Sequence, residues 1–375
     1  MTSINSHWYR SSLTGLTFLL IPASWLFRFI IVIRRALYRL KLKKTTHLPV
    51  PVIVVGNITV GGTGKTPFVI WLANELKQAG WKPGIVSRGV GAVALHQKPY
   101  WVEDQADPIM VGDEAVLLKQ RSGCPVVVGV DRVAAAKALL AKSDSNIVIS
   151  DDGLQHYRLG RDLEIVIVDE ARGFGNGRLL PAGPLREPVS RLKDVNYVIY
   201  QTTNISLPTS PSSRAASSAG SSALFCEPTG KGARSRAKSM HGMTLNDFPS
   251  ESEKRGGIYL MQLQGNQIIH LQTGQSKPLA SLKDTTLHAI AAIGNPDRFF
   301  NQLRLAGIKT IEHPFPDHYL YQAKDLQFND GLPILMTEKD AVKCRAIGSD
   351  LCWYLPVTAS LDPAFKLSLD FYLSP

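Results

Sequence analysis

The run Gly61-Gly62-Thr63-Gly64-Lys65-Thr66 has the residue types that grip the tail of a nucleoside triphosphate. Glycines reach backbone angles closed to residues with a Cβ, so successive N–H groups can turn inward on phosphate oxygens. A helix following directly would present its positive end to the same anion. Lys65 would reach the β- and γ-phosphates of ATP, and the Thr66 hydroxyl would ligate Mg²⁺. Pro67 suits a first helical turn, where no N–H partner is lost. The strict pattern G-x-x-x-x-G-K-[ST] asks for glycine where Thr59 stands, so the match rests on the GKT end and the Gly61-Gly62 pair. The plain alternative is a glycine-rich hairpin with a surface lysine. Against it stand a β-branched run at 52–55 and, after the loop, a helical spacing of Phe68, Ile70, Trp71, Leu72 and Leu76.

Phosphoryl transfer also needs carboxylates for the metal and a base for the acceptor. In nucleotide-binding sheets a strand ending in Asp beside the phosphate loop supplies the metal contact. Two stretches have this form: 146–152, ending in Asp151 and Asp152, and 164–169, ending in Asp169. Spacing alone does not choose between them; the doubled carboxylate before Gly153 favours Asp151 and Asp152 over Asp169 and over a solvated turn. Asp113 and Glu114 stand at a helix start read from Ala115, Leu117 and Leu118, where a capping role and a catalytic role are equally open. The segment 173–188 is too rich in Gly and Pro for a helix or central strand. It carries Arg178, Arg186 and Glu187, and its apolar Phe174, Leu179 and Leu180 make it an ordered active-site loop. His318 follows a proline turn beside Asp317, a position that could present it to a cleft, although a lone histidine is more often structural.

The elements that must position these groups read as α/β. A P-loop NTPase-like, mostly parallel sheet flanked by helices is expected over 46–201, with a smaller C-terminal α/β domain over 274–375. Between them, 202–257 is rich in Ser, Pro, Gly and basic residues, the composition of a disordered insertion. The alternation over 258–271, with Gly265-Asn266 as a turn signal, predicts a hairpin, and 258–273 a two-stranded linker.

Of a net charge of +11, nine basic residues precede the first acidic one, Glu75, and the rest of the chain is nearly neutral. That distribution argues against a nucleic-acid footprint. From 13 to 27 there is no charged residue, but Pro22 and Arg28 interrupt the apolar run, which is marginal as a simple bilayer span. Arg34, Arg35, Arg39, Lys41, Lys43 and Lys44 follow, interleaved with Leu37, Tyr38, Leu40 and Leu42, a segment suited to anionic headgroups. A cleaved secretory signal would carry its charges in front. Residues 1–45 are therefore expected to form a membrane-associated helix at the cytoplasmic face. The four cysteines show no C-x-x-C spacing and read as reduced thiols rather than metal ligands.

Six motifs taken together extend this reading: the phosphate loop, GDE at 112–114, DDGLQH at 151–156, RGFGNGRLLPAGPLRE at 172–187, FPDH at 315–318 and TEKDAVK at 337–343. In this order they resemble the tetraacyldisaccharide 4'-kinase, or lipid A 4'-kinase, family of Gram-negative bacteria, from the N-terminal anchor to about Lys343 and excluding 202–257. The resemblance implies a kinase at the cytoplasmic face of the bacterial inner membrane that moves the γ-phosphoryl of ATP to the 4'-hydroxyl of a membrane-embedded acylated disaccharide 1-phosphate. It implies that Lys65 and Thr66 hold phosphate and Mg²⁺, with Thr59, Gly61, Gly62, Thr63 and Gly64 in the nucleotide cradle. Asp151 and Asp152 would belong to the metal region, Asp113 and His318 would form the pair that activates the sugar hydroxyl, and Arg186 and Glu187 would line the nucleotide side. Two motifs depart from the family pattern: GDEP reads GDEA, with Ala115, and SRGYG reads SRGVG, with Val90. Two other classes fit the loop alone: a membrane-recruited nucleotide switch, and a kinase or ligase of a small soluble metabolite. The first needs no hydroxyl-activating pair, and the second has no use for an anchor.

Overall fold

A computed structural model describes residues 4–10, 14–90, 98–202 and 256–373. The bulk of the expected insertion, 203–255, lies outside the described residues.

The described residues build two sheets. Strands β1 (Val52–Gly56), β2 (Pro83–Ser87), β3 (Tyr100–Trp101), β4 (Val126–Val128), β5 (Ile147–Asp151), β6 (Leu163–Asp169), β7 (Tyr197–Thr202) and β8 (Ile258–Gln264) belong to the first. Strands β9 (Gln267–His270), β10 (Ser276–Pro278), β11 (Thr286–Ala291), β12 (Lys309–Pro314), β13 (Ile334–Thr337) and β14 (Cys352–Leu355) form the second. The last strand, β15 (Thr358–Leu361), returns to the first sheet, whose order is β15-β8-β7-β6-β1-β5-β2-β4-β3. Its seven central strands run parallel, and only the edge strands β3 and β15 are antiparallel.

Alternation along β1 explains why both faces carry helices. Ile53 and Val55 face the helices Lys65–Gln78 and Asp113–Ser122, and Val52 and Val54 face the helix Arg132–Lys142. A strand buried on both faces reads as an unbroken β-branched run, as β1 does. The second sheet, order β10-β9-β14-β13-β11-β12, packs the helix Pro296–Leu305 on one face through Phe299, Phe300 and Leu303. Its other face holds Ile290, Met336 and Cys352 over the helix Glu338–Cys344.

Two boundary expectations are corrected. The stretch 258–271 is no hairpin: β8 pairs with β7 and β15, whereas β9 pairs with β14 and β10, so the Gly265-Asn266 turn hands the chain from one sheet to the other. The segment 358–373 belongs to the first lobe rather than to 274–375. Phe365 of the final helix is fully buried among Phe68, Trp71, Tyr197 and Tyr259, with ring centroids 5.2–6.0 Å away. Burying that aromatic cluster draws the chain end back across both lobes.

Near the N-terminus the helix Ile21–Arg39 runs unbroken. Pro22 falls in its first turn, where the missing N–H costs nothing, so it starts the helix instead of interrupting it. Among the described residues no helix is long and apolar enough to cross a membrane. The seam joining this helix to the body is narrow: Ser24 Oγ donates to Leu179 O at 2.9 Å, Phe27 packs on the loop 174–185, and Arg35 pairs with Asp194 at 2.7 Å. Its other face is apolar and bare, with Trp25, Leu26, Phe29, Ile30, Val32 and Ile33 all exposed.

Candidate active site

The phosphate loop leaves β1 at Gly56 and enters the helix Lys65–Gln78 through Gly64, whose φ of 86° is open to glycine and costly for other residues. Gly61 stands at φ 100°. The near side of the loop is pinned to the Gly/Pro-rich segment: Thr59 bridges Leu185, Val60 N donates to Pro184 O at 2.9 Å, and Arg186 N donates to Ile58 O at 2.7 Å. The buried Thr63 hydroxyl has no partner among the described residues, so a donor is left over inside the loop.

Sheet order fixes the neighbours of the loop. Strand β1 lies between β5 and β6, with Val55 beside Asp151, so Asp151 and Asp169 flank it at the carboxyl end, where ligands of parallel sheets gather. The two carboxylates have different fates. Asp169 is bound by Arg298 from the second lobe and accepts from Ala171 N at 3.1 Å. Asp151 is buried and, among the described residues, accepts only from Ser87 Oγ at 3.2 Å and leaves Oδ1 without a partner. Burial, with the charges of Glu114 and Asp152, pushes its pKa up to about 7. A cation at that atom would relieve both effects.

Asp152 takes a left-handed backbone (φ 48°) that turns its carboxylate to Lys65 Nζ, 3.5 Å away, and to Arg186, whose Nη1 lies 2.9 and 3.1 Å from its oxygens. Burial would raise this acid, but Lys65 and Arg186 outweigh it and hold the carboxyl well below the usual range.

Among the described residues no three His, Cys, Asp or Glu side chains cluster to hold a metal by themselves. Mg²⁺ in phosphoryl-transfer sites takes one or two carboxylates and completes its shell with phosphates and water. The unpartnered Asp151 oxygen fits that demand.

The base pair comes from two lobes. Asp113 opens the helix Asp113–Ser122 and His318 follows β12, and His318 Nδ1 meets Asp113 Oδ2 at 3.2 Å across 205 positions. His318 sits at φ 60° and is 23% exposed, against 3% for Asp113, so the imidazole is the exposed member of the pair. The hydrogen bond to Asp113 raises His318 despite burial and Lys339. Burial alone would raise Asp113, but the His318 bond and the charges of Lys339, His318 and Lys343 lower it.

Lys339 of the TEKDAVK motif is the hub that residue-by-residue reading missed. Its Nζ lies 3.1 Å from Glu114, 3.5 Å from Asp317 and 3.5 Å from His318 Nε2. Burial lowers it, but Glu114, Asp113 and Asp317 together raise it, so it stays charged. The second lobe also touches the phosphate loop, because a Cβ on Gly294 would lie 2.6 Å from Gly62 N and 3.3 Å from Asp317 Oδ2.

One expected nucleotide residue is reassigned. Glu187 is buried, and its oxygens accept from Gln155 Nε2 at 2.8 Å and Tyr157 Oη at 2.7 Å and pair with Arg191 at 3.3 Å. With both oxygens engaged, Glu187 braces the loop rather than facing a ligand. Arg191 also bonds Glu164 at 2.5 Å, so one guanidinium serves two buried carboxylates.

A second feature escaped the sequence. Arg34, Tyr38, Arg132, His156 and Arg158 line a cavity of about 210 Å³ between the N-terminal helix and the DDGLQH turn. Arg132 is 1% exposed, yet its Nε and Nη2 have no partner among the described residues. Burial brings its pKa down to about 10 even with Asp151 and Asp152 nearby, and burial with the charges of Arg132, Arg88 and Arg34 takes His156 to about 4. A buried guanidinium with idle donors calls for an anion. The sequence signal was faint: one arginine opening an otherwise Ala/Val/Leu-rich helix.

A parallel sheet carrying a glycine-rich loop and carboxylates at its strand ends defines a P-loop kinase architecture. Comparison with known proteins narrows the class. Residues 16–373 match the family model described as tetraacyldisaccharide-1-P 4'-kinase. A tetraacyldisaccharide 4'-kinase of Nitrosococcus oceani is 45% identical over 359 residues, covering 96% of this chain and 90% of that protein. One from Methylobacillus flagellatus is 44% identical over 363 residues, covering 96% and 92%. The crystal structure of Aquifex aeolicus LpxK in complex with ATP superposes with a TM-score of 0.70 at 27% identity, covering 95% of this chain and 98% of that one. The chain belongs to the tetraacyldisaccharide-1-P 4'-kinase family.

Proposed function

We propose that the protein transfers the γ-phosphoryl of ATP to the 4'-hydroxyl of a tetraacyldisaccharide 1-phosphate lying in the cytoplasmic face of the bacterial inner membrane. The observation that carries the reading is the Asp113–His318 pair, formed between lobes and linked through Asp317 and Gly294 to the phosphate loop. Nucleotide chemistry alone needs no such pair; an acceptor hydroxyl does.

In this reading the N–H groups from Gly61 to Gly64, with Thr59 and Thr63 behind them, cradle the phosphates. Lys65 swings from Asp152 to the β- and γ-oxygens. Thr66, Asp151 and Asp152 would hold Mg²⁺, which would supply positive charge to the phosphates. Arg186 keeps Asp152 ionised and oriented. His318 Nε2 accepts the acceptor proton while Asp113 fixes the imidazole through Nδ1. The cationic cavity at Arg132 takes the anomeric phosphate of the acceptor, close to the helix that meets the membrane. The test uses γ-labelled ATP, Mg²⁺ and tetraacyldisaccharide 1-phosphate in mixed micelles. Label in the lipid phase supports the reading; label released only as inorganic phosphate identifies a nucleotide switch instead.

The bare face of Ile21–Arg39 and the basic residues after it fit an anionic membrane surface. At 1.5 Å per residue the helix is about 28 Å long, enough to lie in the interface but short of a comfortable span. Leu26, Phe29 and Ile33 line one open apolar groove with Arg34 and Lys43 at its edge. Burying each such side chain contributes about 1.5–3 kcal/mol. The combined variant Leu26→Glu, Phe29→Glu, Ile33→Glu is expected to weaken partition into anionic-lipid vesicles by about 10²-fold or more. Turnover of a detergent-dispersed acceptor should stay near wild type, and unchanged vesicle binding would remove the anchor.

A further inference from the structure

Resting on the reading of the chain as a γ-phosphoryl transferase, we infer that Arg172 is a catalytic residue: its guanidinium meets the transferring phosphoryl group and is aimed there by the face of Tyr9. Arg172 follows β6 in a tight turn, where Gly173 N donates to Asp169 O at 2.8 Å. The turn throws the side chain back over the phosphate loop. A Cβ on Gly61 would come within 2.9 Å of Arg172 Nη1, so the guanidinium fills the space that glycine leaves. The same nitrogen donates to Gly294 O at 3.2 Å.

Position argues for the phosphoryl. Gly61 and Gly62 form the part of the loop that faces Gly294 and, behind it, Asp317 and His318. The phosphoryl group leaves the nucleotide toward His318, so a cation between Gly61 and Gly294 borders its path.

Charge argues the same way. Lys65 and Arg186 are paired with Asp152, Arg298 with Asp169, and Lys339 with Glu114 and Asp317. Arg172 has no carboxylate partner among the described residues, and the adjacent Asp169 is taken by Arg298 and Ala171 N. In P-loop enzymes an arginine supplied from the same chain stabilises the charge spread over the phosphoryl oxygens.

Tyr9 supplies the aim. The guanidinium carbon lies 4.3 Å from its ring centroid, a cation–π contact that fixes the plane of the fork. Tyr9 is itself held, because Trp8 is buried with Nε1 donating to Pro181 O at 3.0 Å and its carbonyl accepting from Asn176 N at 2.8 Å. The residues ahead of the membrane helix thus reach the reaction centre through one stacked pair, with Tyr9 as the positioning residue.

A merely structural Arg172 would tie the lobes through Gly294 O. Arg172→Gln separates the roles, since its amide keeps a donor for that carbonyl but carries no charge. In the full chain with Mg²⁺, Arg172→Gln is expected to lower kcat by about 10²-fold or more while the ATP KM stays within about threefold. A second readout needs no acceptor. Aluminium fluoride, which with ADP mimics the transferring phosphoryl, should tighten ADP binding by about tenfold or more in the wild type, and Arg172→Gln should lose that gain at unchanged ADP affinity. Tyr9→Leu should lower kcat about tenfold, and Tyr9→Phe, which keeps the ring face, should restore it to within about twofold. Arg172→Gln with kcat within about threefold of wild type, or with the fluoride gain intact, overturns the inference. Wild type that shows the fluoride gain but leaves the disaccharide unphosphorylated rejects the acceptor assignment and leaves Arg172 in place.

Discussion

Replacing His318 by alanine lowers kcat by about 10³-fold while the ATP KM changes little, because general-base catalysis contributes about 10²–10⁴ and His318 touches no part of the nucleotide cradle. The wild-type pH profile should carry the signature of the same residue. The hydrogen bond that His318 donates to Asp113 raises His318 above the ordinary 6.5, so the imidazole is neutral, and able to accept a proton, only above that raised value. Turnover therefore falls as pH drops through an apparent pKa above 6.5. Asp113→Asn removes the negative charge and leaves a neutral amide carbonyl, a weaker acceptor for the imidazole N–H. It should move the acid limb to lower pH while lowering the plateau, since the imidazole is then less firmly oriented and no longer stabilised by a carboxylate when protonated. An acid limb that stays in place in Asp113→Asn, or His318→Ala turnover within tenfold of wild type, assigns the proton to another group.

What could be read without coordinates follows from how local each feature is. The cradle from Gly61 to Thr66 is a strand, a loop and a helix in sequence, so residue types alone expose it. Asp113 and Glu114 at a helix start, and Asp151 at a strand end, are equally local. The meeting of Asp113 with His318 is not: nothing in periodicity joins positions 205 apart, and only the order of motifs suggested the pair. Strand partners fail for the same reason. The alternation over 258–271 signals extended chain but not its neighbours, and β8 and β9 find theirs in different sheets. Phe365 returns to the first lobe because an aromatic pocket exists there, which no window around Phe365 contains. The shared motif alone puts Glu187 on the nucleotide side with Arg186, yet Gln155, Tyr157 and Arg191 engage both its oxygens. Lys339 and Arg132 were invisible for the converse reason, since their importance lies in the carboxylates or idle donors that folding places around them.

Replacing Lys65 by methionine lowers kcat/KM for ATP by about 10³-fold, the scale of deleting one preorganised electrostatic contact to a reacting oxygen. Methionine keeps an apolar stem of similar length, so the helix Lys65–Gln78 should form unchanged. Asp152 is not stranded by the substitution, because Arg186 still holds it at 2.9 Å. The loss of stability should therefore stay below the roughly 3–5 kcal/mol that stranding a buried charge costs. That separation of activity from stability marks Lys65 as a group used for the nucleotide rather than for the fold. Lys65→Arg should not rescue activity. A guanidinium fork is drawn to the Asp152 carboxylate in bidentate geometry and cannot leave it for the phosphates as a compact ammonium can. If Lys65→Met turns over within tenfold of wild type, the loop cradles phosphate by backbone alone and the cation at the reacting oxygens must be another residue.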